Sequence, residues 1–168
     1  MAIVASDIVF KLSGGAANSD PNASLGGARS SVTMGTGIGN LFDNVSGAES
    51  TSGDTEYRCF YVLNTHATLT MQSAVIFILS NTPSTSSAVR IAVGTSAVNG
   101  TEQTVADEST VPSGVTWSTA ANAGASLALG DIPAGQHRAV WVERVISVGA
   151  AAYNDDQCTL QVNCDTAA

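Results

Sequence analysis

The feature that most constrains this chain is its hydrophobic period, which is two rather than 3.6. Ile8, Phe10 and Leu12 alternate with Val9 and Lys11. Tyr57, Cys59, Tyr61 and Leu63 share one face of a run whose other face carries Arg58, Phe60 and Val62. Val89, Ile91 and Val93 repeat the pattern around Arg90 and Ala92, and Cys158, Leu160, Val162 and Cys164 do so around Thr159, Gln161 and Asn163. Successive side chains point to opposite faces only in extended backbone, so each run is a strand. The run AVIFIL, Ala74 to Leu79, is apolar throughout and reads as a central strand buried on both sides. The stretch RAVWVERVISV, Arg138 to Val148, reads as the longest strand, and the break in its alternation near Glu143 suggests a bulge. Val115 with Trp117 and Leu127 with Leu129 add short pieces, giving seven to nine strands.

Turn residues punctuate the runs: Asn81-Thr82-Pro83-Ser84, Asn99-Gly100, Pro112-Ser113-Gly114, Pro133-Ala134-Gly135 and Asn154-Asp155-Asp156. Short strands at this spacing predict an all-β fold, an antiparallel β-sandwich or jelly-roll-like single domain. Only Gly39 to Val45, GNLFDNV, suggests a turn of helix.

Residues 13–53 break the pattern. LSGGAANSDPNASLGGA, Leu12 to Ala28, holds four glycines and little that can fill a core. A structureless excursion of this length is unusual inside a domain. We therefore divide the chain into residues 1–53, an N-terminal strand plus a glycine-rich arm or loop with a short strand near Ser31 to Met34, and residues 54–168, the sandwich core. The region is expected to be either a functional loop or an arm laid on a neighbouring subunit. Gly14, Gly15, Gly26 and Gly27 allow close backbone approach, Asp20-Pro21-Asn22 fixes a turn, and Leu12 and Leu25 supply apolar anchors. Such a segment can add main-chain hydrogen bonds to a sheet edge of its neighbour.

The 168 residues suit one domain. Only 12% are charged and the net charge is -8, with six scattered Lys and Arg, which argues against a nucleic-acid partner. No apolar run is long enough for a membrane helix. The opening MAIVASDIVFKLS has no basic n-region, so synthesis in a cytosol is expected. Three cysteines, none in a C-x-x-C pair, argue against a zinc site on spacing alone. Buried free thiols are one reading of Cys59, Cys158 and Cys164, and a disulfide is the other. Cys158 and Cys164 lie about 20 Å apart along one strand and cannot bridge each other. Any disulfide must use Cys59 or another chain, and Cys164, near the C-terminus, is the residue to test for an intermolecular bond.

Chemistry-bearing residues are few. His66 in NTHAT and His137 after Pro-Ala-Gly have no nearby nucleophile in sequence and read as locally hydrogen-bonded side chains. Gly35 to Asn40, GTGIGN, lacks the lysine of a phosphate-binding loop and reads as a turn. Asn154-Asp155-Asp156 with Asp165, and the pair Asp107-Glu108, lack the spacing of a calcium loop and read as solvated turns. Trp117, Trp141, Tyr57, Tyr61 and Tyr153 read as core rather than a sugar-binding platform. The expectation is no enzyme, no cofactor and no metal.

Three segments resemble small virion structural proteins of tailed bacteriophages. They are LSGGAANSDPNASLGGARSS (Leu12 to Ser31), NLFDNVSGAESTSGDTEYRCFYVLNTHATLT (Asn40 to Thr70), and IPAGQHRAVWVERV (Ile132 to Val145) followed by AAYNDDQCTLQV (Ala151 to Val162). The opening SGGAANSDPNASLGG is the most specific. Residues 82–125 carry no resemblance. The resemblance implies a homo-oligomeric virion component, first of all a capsid decoration, or cement, protein on the head surface whose partners are the major capsid protein and copies of itself. A tail, neck or baseplate component and a carbohydrate-binding surface module are the alternatives.

Overall fold

The computed structural model describes residues 2–37 and 39–166; Ile38, one of the few large apolar residues of the glycine-rich region, lies outside them. Among the described residues nine strands form: β1 (Ile8–Leu12), β2 (Gly26–Gly27), β3 (Asp54–Asn64), β4 (Met71–Ser80), β5 (Ser87–Val93), β6 (Glu102–Thr104), β7 (Leu127–Ile132), β8 (His137–Ile146) and β9 (Thr159–Thr166). They assemble as an antiparallel sandwich. One sheet has the order β1-β3-β8-β5, the other the order β7-β4-β9, and β2-β6 is a separate pair. From β3 to β5 and again from β7 to β9, each strand hands the chain to the opposite sheet.

The core between the sheets takes one face of each alternating run. Phe60 and Val62 of β3, Val89 and Ile91 of β5, and Val140 and Val142 of β8 meet Ala74, Ile76 and Ile78 of β4 and Leu129 and Ile132 of β7. Phe10 joins it by stacking on Phe60, ring centroids 5.2 Å apart. On the β9 side, Cys158, Leu160, Val162 and Cys164 close the core as one face.

The four-stranded sheet has a second core on its other face. There Tyr57, Cys59 and Tyr61 of β3, Ala139 and Trp141 of β8 and Ala92 of β5 pack under Leu25, Val105, Val115 and Trp117. The lid over them comes from the loops around β2 and β6. This explains the broken alternation of β8. Its neighbours β3 and β5 hold an uninterrupted register along it, so there is no bulge at Glu143. Both of its faces are buried, and a strand buried twice loses its polar face. The irregularity lies instead in β4, where the register shifts between Gln72 and Val75 and Ser73 takes φ 48°. β4 is the centre of its sheet, though Leu79 at its end stays 57% exposed. The longest strand is β3, with 11 residues against 10 for β8.

Three expected elements are corrected. Residues 39–45 are not helical; the helix α1 is Gly47–Ser52, started by Ser46, whose hydroxyl accepts from the Glu49 N–H while the Glu49 carboxylate accepts from the Ser46 N–H. The strand expected at Ser31 to Met34 is a single bridge, Lys11 to Thr33, and the Val115–Trp117 piece ends in a single bridge, Ser118 to Ile91. The glycine-rich segment also folds back on its own chain. Gly14 N–H donates to Gly26 O (2.7 Å), Gly15 N–H to Ala28 O (2.9 Å), Cys59 N–H to Ser24 O (2.7 Å) and Val105 N–H to Leu25 O (3.0 Å).

Candidate functional site

The expected contact residues separate by depth. Leu12 and Gly26 are buried within the chain; Gly15, Pro21, Leu25 and Gly27 are half-buried; Gly14, Asp20 and Asn22 are exposed. Gly26 is fixed by close approach: φ is +91°, and a Cβ there would stand 1.8 Å from the Gln103 carbonyl oxygen. The Asp20 carboxylate accepts from the Asn22 N–H at 2.9 Å and holds the turn that opens at Pro21. That turn borders Gly39, Asp43 and Asn44 across a shallow cleft. The exposed face of the glycine segment and the loop ahead of α1 therefore form one surface.

On the far side of that loop the sandwich is open. A groove of about 930 Å³ runs between it and the 150–158 segment, with Phe10, Phe42, Val142 and Leu160 in its wall and Arg144 among its lining. Here the structure places what sequence reasoning did not find, a network of buried charge at one end of the four-stranded sheet. Arg144 grips Glu56 on the neighbouring strand, Nε donating to Oε2 at 2.5 Å, and donates through Nη1 to the Asp43 carbonyl at 2.7 Å. Arg58, fully buried, pairs with Glu108. The Phe42 ring lies beside both guanidiniums, 4.7 Å from Arg144 and 5.5 Å from Arg58. On the opposite face Glu143, 3% exposed, is held by Arg90, with one hydrogen bond of 2.7 Å from Nη2. Burial pushes the Glu56 carboxyl up despite Arg144. Glu108 thus ties a loop to the sheet, rather than standing in a solvated turn beside Asp107. The sequence held one signal: four charged residues, Glu56, Arg58, Glu143 and Arg144, inside the most apolar strands of a chain with little charge.

The remaining candidates are placed as follows. His66 Nδ1 accepts from the Thr68 and Leu69 N–H groups at 3.1 and 2.9 Å, closing its own turn. His137 sits edge-on to Tyr61, 4.8 Å between ring centroids, and accepts from Arg29 Nε at 3.3 Å. Burial, then Arg29, lowers its pKa. Asp156 accepts from Ser84 N–H at 3.0 Å and from the Ser87 hydroxyl, pinning the 150–158 segment to the loop after β4. Trp141 and Tyr61 are fully buried and Tyr57 nearly so; Trp117 lies half-buried, 5.5 Å from Tyr57; only Tyr153, at 53%, is exposed. All three cysteines are free thiols, Cys59 wholly buried and Cys158 and Cys164 half-buried. Burial raises all three thiol pKa values, that of Cys158 to about 12.

No known protein family, no protein of curated function and no solved structure matches this chain.

Proposed function

We propose that this protein is a structural component of a tailed-phage virion, a decoration protein that binds the outside of the head where capsid subunits meet and stabilises the shell. The observation that carries this reading is where the resembling segments fall. Leu12 to Ser31, Asn40 to Thr70, Ile132 to Val145 and Ala151 to Val162 contain β2 and Leu25 from the cover over the second core, all of β3, most of β8 and the first part of β9. They pack on one another across β3 and β8 as one folded unit. The segment without resemblance, 82–125, supplies β5, β6 and their loops.

The physics of the chain supports a scaffold role. Both faces of its central sheet are covered, and its buried charges are tied down by ion pairs or, at Glu102, by hydrogen bonds. A net charge of -8 favours solubility of free copies before assembly. The exposed Gly14 to Asn22 turns and the adjoining 39–45 loop form the surface we assign to capsid contact, and repetition over the lattice would turn weak contacts into strong attachment.

Quantitative mass spectrometry of purified particles tests this reading. The expected ratio of this chain to the major capsid protein is between about one third and one, as lattice symmetry requires of a coat. A ratio of a few per cent would remove the decoration reading and assign the protein to the tail, neck or baseplate.

A further inference from the structure

Glu49 lies in α1, Asp54 opens β3, and Glu56 follows two residues later. The turn at Gly53, φ 74°, brings the three carboxylates together, with one oxygen of each within 4.8 Å of the others. Glu49 and Asp54 are half-buried and Glu56 is 1% exposed. Three negative charges at this spacing repel, and water is excluded from the deepest. The cation that touches the group is Arg144, which also contacts Asp43 at 3.5 Å. Arg144 engages Glu56 through Oε2. Glu56 Oε1 is enclosed and accepts no hydrogen bond. A buried carboxylate oxygen with no donor is the exception in folded proteins and calls for a partner.

The neighbouring group Asp43, Glu56 and Glu108 has a different character. Arg58 pairs with Glu108 and Arg144 with Asp43 and Glu56, so its charges are met by the chain itself. At Glu49 and Asp54 no arginine or lysine pairs with the carboxylates among the described residues. Their hydrogen bonds come from single backbone N–H groups, Ser46 to Glu49 Oε2 at 2.6 Å and Thr55 to Asp54 Oδ1 at 2.8 Å, which leaves the other oxygen of each available.

We propose that Glu49, Asp54 and Glu56 bind one Ca²⁺ ion, with Glu56 Oε1 as the buried ligand. The donors are all hard oxygens, and oxygens on opposite sides of a Ca²⁺ stand at most about 5 Å apart, which accommodates the observed spacing. Calcium accepts the irregular arrangement of a helix, a turn and a strand start, where Mg²⁺ demands an octahedron. No sequence motif marks this site, because the spacing E-x4-D-x-E is not that of a known calcium loop. Bound there, the ion ties α1 to β3 and fixes the end of the loop that walls the groove.

The test uses the full chain, stripped with a chelator, and the double variant Glu49→Gln/Asp54→Asn. Both replacements keep an oxygen for the backbone N–H each carboxylate now caps, so the fold is retained. Calcium titration followed by calorimetry should show one ion per chain, weakened at least about tenfold in the variant. The melting temperature should rise with Ca²⁺ in the parent protein and stay flat in the variant. Absence of heat and of any thermal shift up to about 10 mM Ca²⁺, beyond the range of weak extracellular sites, overturns the proposal. So does equal binding by the two proteins, or the same thermal shift from NaCl at matched ionic strength, which would be screening alone. None of these outcomes bears on the virion reading.

Discussion

Gly26 shows how much one missing side chain can decide. It sits between β6 and the indole of Trp141, and a methyl group there would meet Gln103 O at 1.8 Å and Trp141 at 3.1 Å. Relief would require the lid to lift from the second core. Gly26→Ala should therefore destabilise the protein by at least about 2–3 kcal/mol, through strain at positive φ plus lost packing. Urea unfolding checks this, with a lower midpoint and an unchanged m-value expected. A second residue-scale device is Glu102. Burial acts to raise its pKa, but hydrogen bonds from the Ser96 N–H at 2.9 Å and the Thr95 hydroxyl at 3.0 Å outweigh it, and the pKa falls to about 2. A carboxylate whose folded pKa lies below its unfolded value adds stability above the unfolded pKa, and that contribution is lost as pH falls toward the folded one. Parent stability should thus drop between about pH 4.5 and pH 2. In Glu102→Gln the drop should be shallower by on the order of 2–3 kcal/mol, read from urea midpoints at several pH values.

At the scale of elements, the pairing of β5 with β8 depends on a charge that cannot be left alone. Glu143 is buried and Arg90 is 45% exposed, so the pair is asymmetric. Removing the arginine strands a carboxylate in the second core, while removing both leaves apolar surface that packs. Arg90→Met should cost about 2–4 kcal/mol, and Arg90→Met/Glu143→Met should recover most of it; a double-mutant cycle on unfolding free energies measures the difference. The same strands show what a sequence can reveal. Alternation located β1, β5 and β9, whose two faces meet unlike surroundings, and it located β3 although both of its faces are buried, because Tyr57, Cys59 and Tyr61 on one face differ in kind from Arg58, Phe60 and Val62 on the other. It failed in β8, where both faces are buried, and the failure read as a bulge. It could not see β2 and β6, which are two and three residues long and exist because glycine backbone meets β6. The helix was legible, since Ser46-Gly-Ala-Glu49 is a capping box, but the more apolar GNLFDNV drew attention from it. The charge network was only half visible. Glu56, Arg58 and Arg144 stand out in their strands, while Asp43, Glu108 and Phe42 arrive from loops that no local pattern places.

At the scale of the whole molecule, the four-stranded sheet belongs to two cores at once. Val140 and Val142 of β8 face the sandwich interior while Ala139 and Trp141 face the lid. Neither core can lose this sheet without the other, so the molecule should open in one cooperative step. The three free thiols report on both sides. Cys59 lies at the centre of the second core, and Cys158 packs against the first. Thiol labelling requires the thiolate and access, and burial denies Cys59 both in the native state. Under mild urea, with labelling slower than closing, Cys59 should label only through global unfolding, with a protection free energy equal to that measured by fluorescence. Half-buried Cys164 should label first, through local fraying of β9 at the sheet edge. If Cys59 labels well below the fluorescence midpoint, the lid built from the glycine segment and β6 opens on its own. The second core would then be a separable layer, and the glycine segment would be free to leave its own sheet for a neighbour's edge. Coincidence of the two free energies would instead fix that segment as part of the fold, leaving only its exposed Gly14 to Asn22 face for contact with other chains.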